Sequence, residues 1–169
     1  MKTYAHYGYQ DFIISCGVKS DVIKSYFANF RLHNSNFTVN TKNNTINYHN
    51  IKSINDWNIT VADTGINTLK GARIKRVENF LDSDINMLTY GDGLCDVNIN
   101  ELIEFHKSHG KILTITGVHP PARFGELIEK NGRLISFSEK PQTSTGLING
   151  GYMIFNRKLL DYLNTDENC

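Results

Sequence analysis

This sequence predicts an α/β fold, a largely parallel sheet flanked by helices with hairpins added. Three observations lead there. Short apolar, strand-like runs alternate with segments of helical periodicity along the 169 residues, the order that builds strand–helix–strand units. Three of those runs carry polar segments marked by glycine or proline, Thr89-Tyr90-Gly91-Asp92-Gly93, Ser138-Glu139-Lys140-Pro141 and Ile148-Asn149-Gly150-Gly151. Sheets of this class gather ligands at strand ends. Asn131-Gly132, set between two apolar runs, marks a tight hairpin. No repeat or low-complexity linker divides the chain, so residues 1–169 read as one domain.

Taken in order, residues 11–17 read as a buried strand ending in a glycine turn. Ser20 stands where a helix cap belongs, and Val22, Ile23, Tyr26, Phe27 and Phe30 recur behind it at helical spacing. Residues 36–40 and 45–49 are short strands joined through Asn43-Asn44. Trp57, Ile59 and Val61 alternate, as on a half-buried strand. Residues 69–81 form a helix with Ile74, Val77 and Leu81 inward, and 86–90 a strand. A helix begins at Asn98, with Glu101 three residues on as a reciprocal cap and Ile99, Leu102, Ile103 and Phe105 on its buried side. Residues 111–118 form a strand halted by Pro120-Pro121. Residues 126–128 and 133–138 flank the Asn131-Gly132 turn. A strand over 147–155 and a short helix over 157–163 follow.

The bulk composition bounds the function. With 18 Lys and Arg against 17 Asp and Glu, the net charge is +1, which gives no electrostatic case for nucleic acid or an anionic membrane. No apolar span of membrane length or secretory leader is visible. Cys16, Cys95 and Cys169 are odd in number and far apart, as suits a reducing cytoplasm.

The three polar segments are where chemistry would sit. Asp92 lies between two glycines that permit close approach, and Mg²⁺ commonly takes one or two protein carboxylates plus substrate phosphates. Gly-Asp-Gly is equally ordinary turn punctuation. Pro141 holds Lys140 extended at a strand end, where its ammonium can face a phosphate, or simply sit in solvent beside Glu139. Asn149 offers both donors and acceptors to a hydroxylated ligand, while the Gly150-Gly151 pair also reads as a bulge. His106 and His109 at i, i+3 lack a third ligand nearby in sequence, and Cys95 lacks a base, so burial is expected for it.

Many ordered segments together resemble the sugar-nucleotide pyrophosphorylases, and within them the glucose-1-phosphate cytidylyltransferases. They include Asp11-Phe12-Ile13-Ile14, Cys16-Gly17, Asp63-Thr64-Gly65, Arg73-Ile74-Lys75-Arg76-Val77, Thr89 through Gly93, Phe105-His106-Lys107-Ser108-His109-Gly110, Glu139-Lys140-Pro141 and Ile148 through Gly151. The resemblance implies a Rossmann-like nucleotidyltransferase sheet that transfers a cytidylyl group from CTP to glucose-1-phosphate. It implies Asp92 as Mg²⁺ ligand and Lys140 on the sugar phosphate. Tyr90, Glu139, Asn149 and Gly150 would surround the hexose, and Arg73 the base. His106 and His109 become framework. A uridylyl- or thymidylyltransferase, or a non-catalytic sugar-phosphate-binding fragment, are the alternatives.

The family's first strand and glycine-rich loop, and a later segment with a second metal-binding aspartate, have no counterpart here. Residues 70–73 read Lys-Gly-Ala-Arg where the family pattern is Thr-Gly-Gly-Arg. A partial nucleotidyltransferase domain with little or no activity alone is therefore expected. The strands at 12–15 and 87–89 would lack the partner between them, and such edges invite association, a homo-oligomer included.

Overall fold

The structure is a computed structural model and describes residues 1–49, 56–121, 124–139 and 146–169. It divides into two compact units, Met1–Asp82 with Lys158–Cys169, and Ser83–Arg157.

The first unit begins with a short helix α1 (Lys2–His6) and strand β1 (Asp11–Cys16). Helices α2 (Ser20–Ala28) and α3 (Phe30–Asn34) lead into the ribbon β2 (Asn36–Asn40) and β3 (Thr45–His49). Strand β4 (Asn58–Asp63) pairs in parallel with β1, from Asp11 opposite Asn58 to Cys16 opposite Asp63. Helix α4 (Lys70–Arg76) follows, then a turn of 3₁₀ helix at Glu78–Phe80. The core gathers Tyr4, Cys16, Thr64, Ala72, Val77 and Leu160. The chain's last residues lie on α4, with Glu167 O accepting from Leu69 N–H and Cys169 O from Ala72 N–H at 2.7 and 3.1 Å.

Two expectations fail in this unit. Ser20 does not cap α2: its hydroxyl donates to the Asp63 carboxylate at 2.7 Å, and Lys19, in left-handed backbone, precedes the helix without a side-chain cap. Ser20 is the first residue inside the helix, one place past the cap position held by Lys19, so its oxygen is not placed to accept from the next amides. The apolar residues of α2 are not buried either. Val22 is 58% exposed, and the helix breaks at Asn29, whose amide donates back to Ser25 O. Its aromatics stack on those of α3 instead, Tyr26 on His33 and Phe27 on Phe30.

In the second unit, β5 (Ile85–Thr89), α5 (Ile99–His109) and β6 (Leu113–Val118) precede the hairpin β7 (Glu126–Lys130) and β8 (Arg133–Ser138), and β9 (Ile148–Asn156) comes last. Strand β9 lies between β5 and β6, antiparallel to both. Tyr152, Met153, Ile154 and Phe155 are all buried, as a central strand requires. The expected largely parallel pairing is thus confined, among the described residues, to β1–β4. The long connection that returns as β9 supplies antiparallel partners to both its neighbours. Among the described strands, β1 pairs only with β4 and β5 only with β9, so each keeps one open edge.

The hairpin turn is as expected, with Asn131 and Gly132 both at positive φ, 54° and 76°. Asn98 caps α5 by accepting from the amides of Asn100 and Glu101, and its own amide donates to the Glu101 carboxylate at 2.8 Å. Helix α5 packs on β9 through Ile99, Ile103 and His106. Phe105, expected inside, is 61% exposed, because it lies about 200° round the helix from Ile103. The inward place goes to His106.

That histidine belongs to a directed hydrogen-bond circuit. Lys111 N–H donates to His109 Nδ1 at 2.9 Å, so the His109 hydrogen sits on Nε2 and points at Thr114 Oγ1, 2.8 Å away. Thr114 then donates to His106 Nδ1 at 2.7 Å. His106 Nε2–H reaches Asn156 Oδ1 at 2.9 Å, and Asn156 Nδ2–H returns to Lys111 O at 3.3 Å. Helix α5 is fastened to β6 and β9 by this loop, the framework role anticipated for both histidines.

Candidate functional site

Thr89 at the end of β5 faces Tyr152 on β9, and the pairing runs on as Tyr90 N–H donates to Gly151 O at 3.2 Å. The chain then turns, Gly93 N–H donating to Tyr90 O at 3.4 Å, with Asp92 exposed on the turn. Tyr152, buried below, donates its hydroxyl to Gly93 O at 3.4 Å. The turn that carries Asp92 is therefore tied to the sheet at both ends.

Opposite it, β9 bulges. Ile115 pairs with Met153 and Gly117 with Asn149, so β9 holds more residues than β6 across that interval. A Cβ on Gly150 would stand 2.9 Å from Val118 Cγ1 and 3.1 Å from Thr116 O. Gly151 has φ 80°, and a Cβ there would stand 3.1 Å from the Tyr90 ring. The bulge throws Asn149 across to Tyr90. Its Nδ2 donates to Tyr90 Oη at 3.0 Å and its Oδ1 accepts from Gly151 N–H at 2.8 Å. These bonds fix which way the amide points. Tyr90, Asp92, Asn149 and Gly150 thus share one end of one sheet.

Glu139 follows β8 in the same unit, exposed. A Cβ on Gly125 would come 2.9 Å from its Oε2, so the carboxylate lies over that glycine. Lys140 falls outside the described residues. Among the described residues no group of three or more His, Cys, Asp or Glu could hold a metal ion. Asp92 fits Mg²⁺ only as a single hard oxygen ligand, the remainder coming from phosphates and water.

Arg73 belongs to the other unit. Its Nη1 donates to Cys16 O and Thr64 Oγ1, at 3.0 and 2.6 Å, and its Nη2 to Ile66 O at 3.3 Å. A Cβ on Gly17 would lie 2.5 Å from its Nη2. Arg76 does the same work one turn on, donating to Thr64 O, Thr68 Oγ1 and Thr165 O. Together they clamp the loops after β1 and β4. Ala72, where the family pattern has glycine, is fully buried, and its methyl faces the core.

Sequence reasoning assigned no role to Asp63 beside this clamp. Its carboxylate accepts from the Ser20 hydroxyl, from Gly65 N–H at 3.0 Å and from Lys24 Nζ at 3.3 Å. These donors, Ser20 foremost, hold it down at about 2. An aspartate at a strand end followed by Thr-Gly was the available signal. Burial pushes the Cys16 thiol up, and the Asp63 charge adds to that. Cys95 is half-buried.

The family described as Nucleotidyl transferase matches residues 14–168. A glucose-1-phosphate cytidylyltransferase of Salmonella typhimurium is 43% identical over 167 residues, covering 98% of this chain and 65% of that protein. A probable glucose-1-phosphate cytidylyltransferase of Bacillus subtilis is 34% identical over 168 residues, 99% of this chain and 65% of that one. The resemblance read from the sequence is borne out. The chain spans a little under two thirds of the length of these relatives. The crystal structure of HddC from Yersinia pseudotuberculosis superposes with a TM-score of 0.62 at 22% identity, over 98% of this chain and 64% of that one. That likeness extends to the fold.

Proposed function

The chain belongs to the nucleotidyl transferase family, and we propose that it carries the sugar-phosphate side of a cytidylyl-transfer site. The substrates are CTP and glucose-1-phosphate, and the products are CDP-glucose and pyrophosphate. One observation carries this reading. The Asp92 turn and the Tyr90–Asn149 pair are fixed by hydrogen bonds to the same strand end, so a carboxylate and a hydroxyl-recognising amide stand together. Identity of 43% to the Salmonella typhimurium relative favours the cytidylyl donor over a uridylyl or thymidylyl one.

In this reaction a phosphate oxygen of glucose-1-phosphate attacks the α-phosphorus of CTP. The new P–O bond forms as the bond to pyrophosphate breaks, in line. Catalysis then rests on positioning and charge neutralisation. A bound Mg²⁺ would neutralise phosphate charge, with Asp92 among its ligands. Asn149 is held by Gly151 and Tyr90, which leaves its second amide hydrogen for a hexose hydroxyl. Glu139 accepts from hydroxyls, and the resemblance assigns Lys140 to the sugar phosphate. The resemblance puts Arg73 near the base, and its guanidinium also holds the loops after β1 and β4. Residues 1–169 read as part of one nucleotidyltransferase domain, active weakly or not at all alone. Three free thiols suit a reducing cytoplasm.

Calorimetry of the chain with glucose-1-phosphate, with and without CTP and Mg²⁺, tests the reading, alongside an assay for CDP-glucose. Binding is expected, weakened about 10-fold or more by Asn149→Ala, with little or no turnover. Equal affinity of the variant and the parent would refute the hexose assignment. Brisk turnover would refute the weak-activity assignment alone, and a faster rate with UTP or dTTP would replace the donor.

A further inference from the structure

Within the first unit, a cleft of about 280 Å³ opens between helix α1 and the amino ends of β1 and β4. Lys2, Ala5 and His6 line its helical wall, and Gln10, Asp56 and Trp57 its sheet wall. Lys2 and His6 stand one turn apart on α1 and so share a face, with the small Ala5 beside them. On the other wall, Gln10 O accepts from Asn58 N–H at 3.0 Å, which ties the starts of the two strands together. The Trp57 ring meets Phe12 edge to face, at 5.8 Å between ring centres.

The lining has two chemical halves. Helix α1 brings an ammonium and an imidazole, donors that suit a phosphate. The sheet wall brings an aromatic ring on which a base can stack, a carboxylate that accepts from an exocyclic amine, and an amide that donates to a ring nitrogen or carbonyl. Among the described residues the side chains of Lys2, His6, Gln10 and Asp56 and the Trp57 indole N–H have no hydrogen-bond or ion-pair partner. Their capacity is therefore open to a ligand. The volume lies at the small end of ligand clefts, which suits one nucleotide.

We propose that this cleft binds a mononucleotide whose base carries an exocyclic amine. The phosphate lies on Lys2 and His6, and the base on Trp57 with its amine toward Asp56. This is a second site, distinct from the base position that the resemblance puts near Arg73. Arg73 holds the loops that follow β1 and β4, at the carboxyl ends of those strands. The cleft lies at their amino ends, the six residues of β1 away, roughly 20 Å at strand rise. The inference does not rest on the catalytic reading.

Trp57 is the chain's only tryptophan, so its fluorescence reports on the cleft directly. Titrating the full chain with CMP, with neither Mg²⁺ nor glucose-1-phosphate present, should change that emission to saturation. Lys2→Ala and Asp56→Asn, both at exposed positions, should each weaken CMP about 10-fold or more. UMP, with a carbonyl in place of the amine, should bind the parent about 10-fold or more weaker than CMP. The absence of a saturable change overturns the proposal. So does CMP affinity unaltered in both variants, which would place the nucleotide elsewhere, or UMP binding as tightly as CMP.

Discussion

Thr114→Val probes the circuit that fastens α5 to the sheet. The substitution keeps the size of the side chain and deletes the hydroxyl that accepts from His109 Nε2–H and donates to His106 Nδ1. Two hydrogen bonds worth about 1 kcal/mol each disappear, and an acceptor on a ring only 1% exposed is left without a donor. His109 is half-buried and can turn to water, so its share is recovered in part. The net loss is about 2–3 kcal/mol. At this chain length that corresponds to a melting temperature lower by about 4–12 °C, read by circular dichroism. Thr114→Ser keeps the hydroxyl and should retain most of the stability. A Thr114→Val protein melting within about 1 °C of the parent, or no lower than Thr114→Ser, would refute the directed circuit.

The Asp63 carboxylate sits at about 2, below its ordinary 3.8. A depressed carboxyl contributes stability above the unfolded value that is lost as pH falls toward the folded one. Acid unfolding should therefore steepen between about pH 4 and pH 2, and Asp63→Asn should flatten that limb; superimposable acid curves would count against the Ser20, Gly65 and Lys24 contacts as its cause. Gly151→Ala forces a methyl into left-handed backbone and against the Tyr90 ring. It should cost about 1–3 kcal/mol in urea unfolding, and an unchanged midpoint would contradict the bulge geometry.

What the sequence made legible is what depends on neighbours in the chain. Asn131-Gly132 turned where its positive φ allows, and Asn98 capped α5 because Glu101 stood one turn on. The Gly150-Gly151 pair produced a bulge, and that bulge is also what delivers Asn149 to Tyr90, so the two readings of the segment describe one object. What could not be read depends on partners far away. The alternation that suggested a parallel sheet carries no information about β9 lying between β5 and β6. Hydrophobicity placed Phe105 inside, whereas His106 fits there because Thr114 and Asn156 satisfy both ring nitrogens. Arg73 is a charged residue on a helix until Cys16 O, Thr64 and Ile66 O gather round it. Ser20 had the composition of a cap, but the helix begins one residue earlier than that reading required, and its hydroxyl is left to donate to Asp63 on a distant strand.

The position of β9 also orders events during synthesis. Residues 85–89 and 113–118 leave the ribosome well before residues 148–156, and neither stretch can complete its ladder until that last strand arrives. Roughly seventy residues separate Ile85 from its partner Asn156, a long loop to close and therefore a slow one. Helix α5, docked through Asn156, has to wait with them. The nascent unit thus passes through an interval with two bare strands, in which premature pairing between neighbouring chains competes with the arrival of β9.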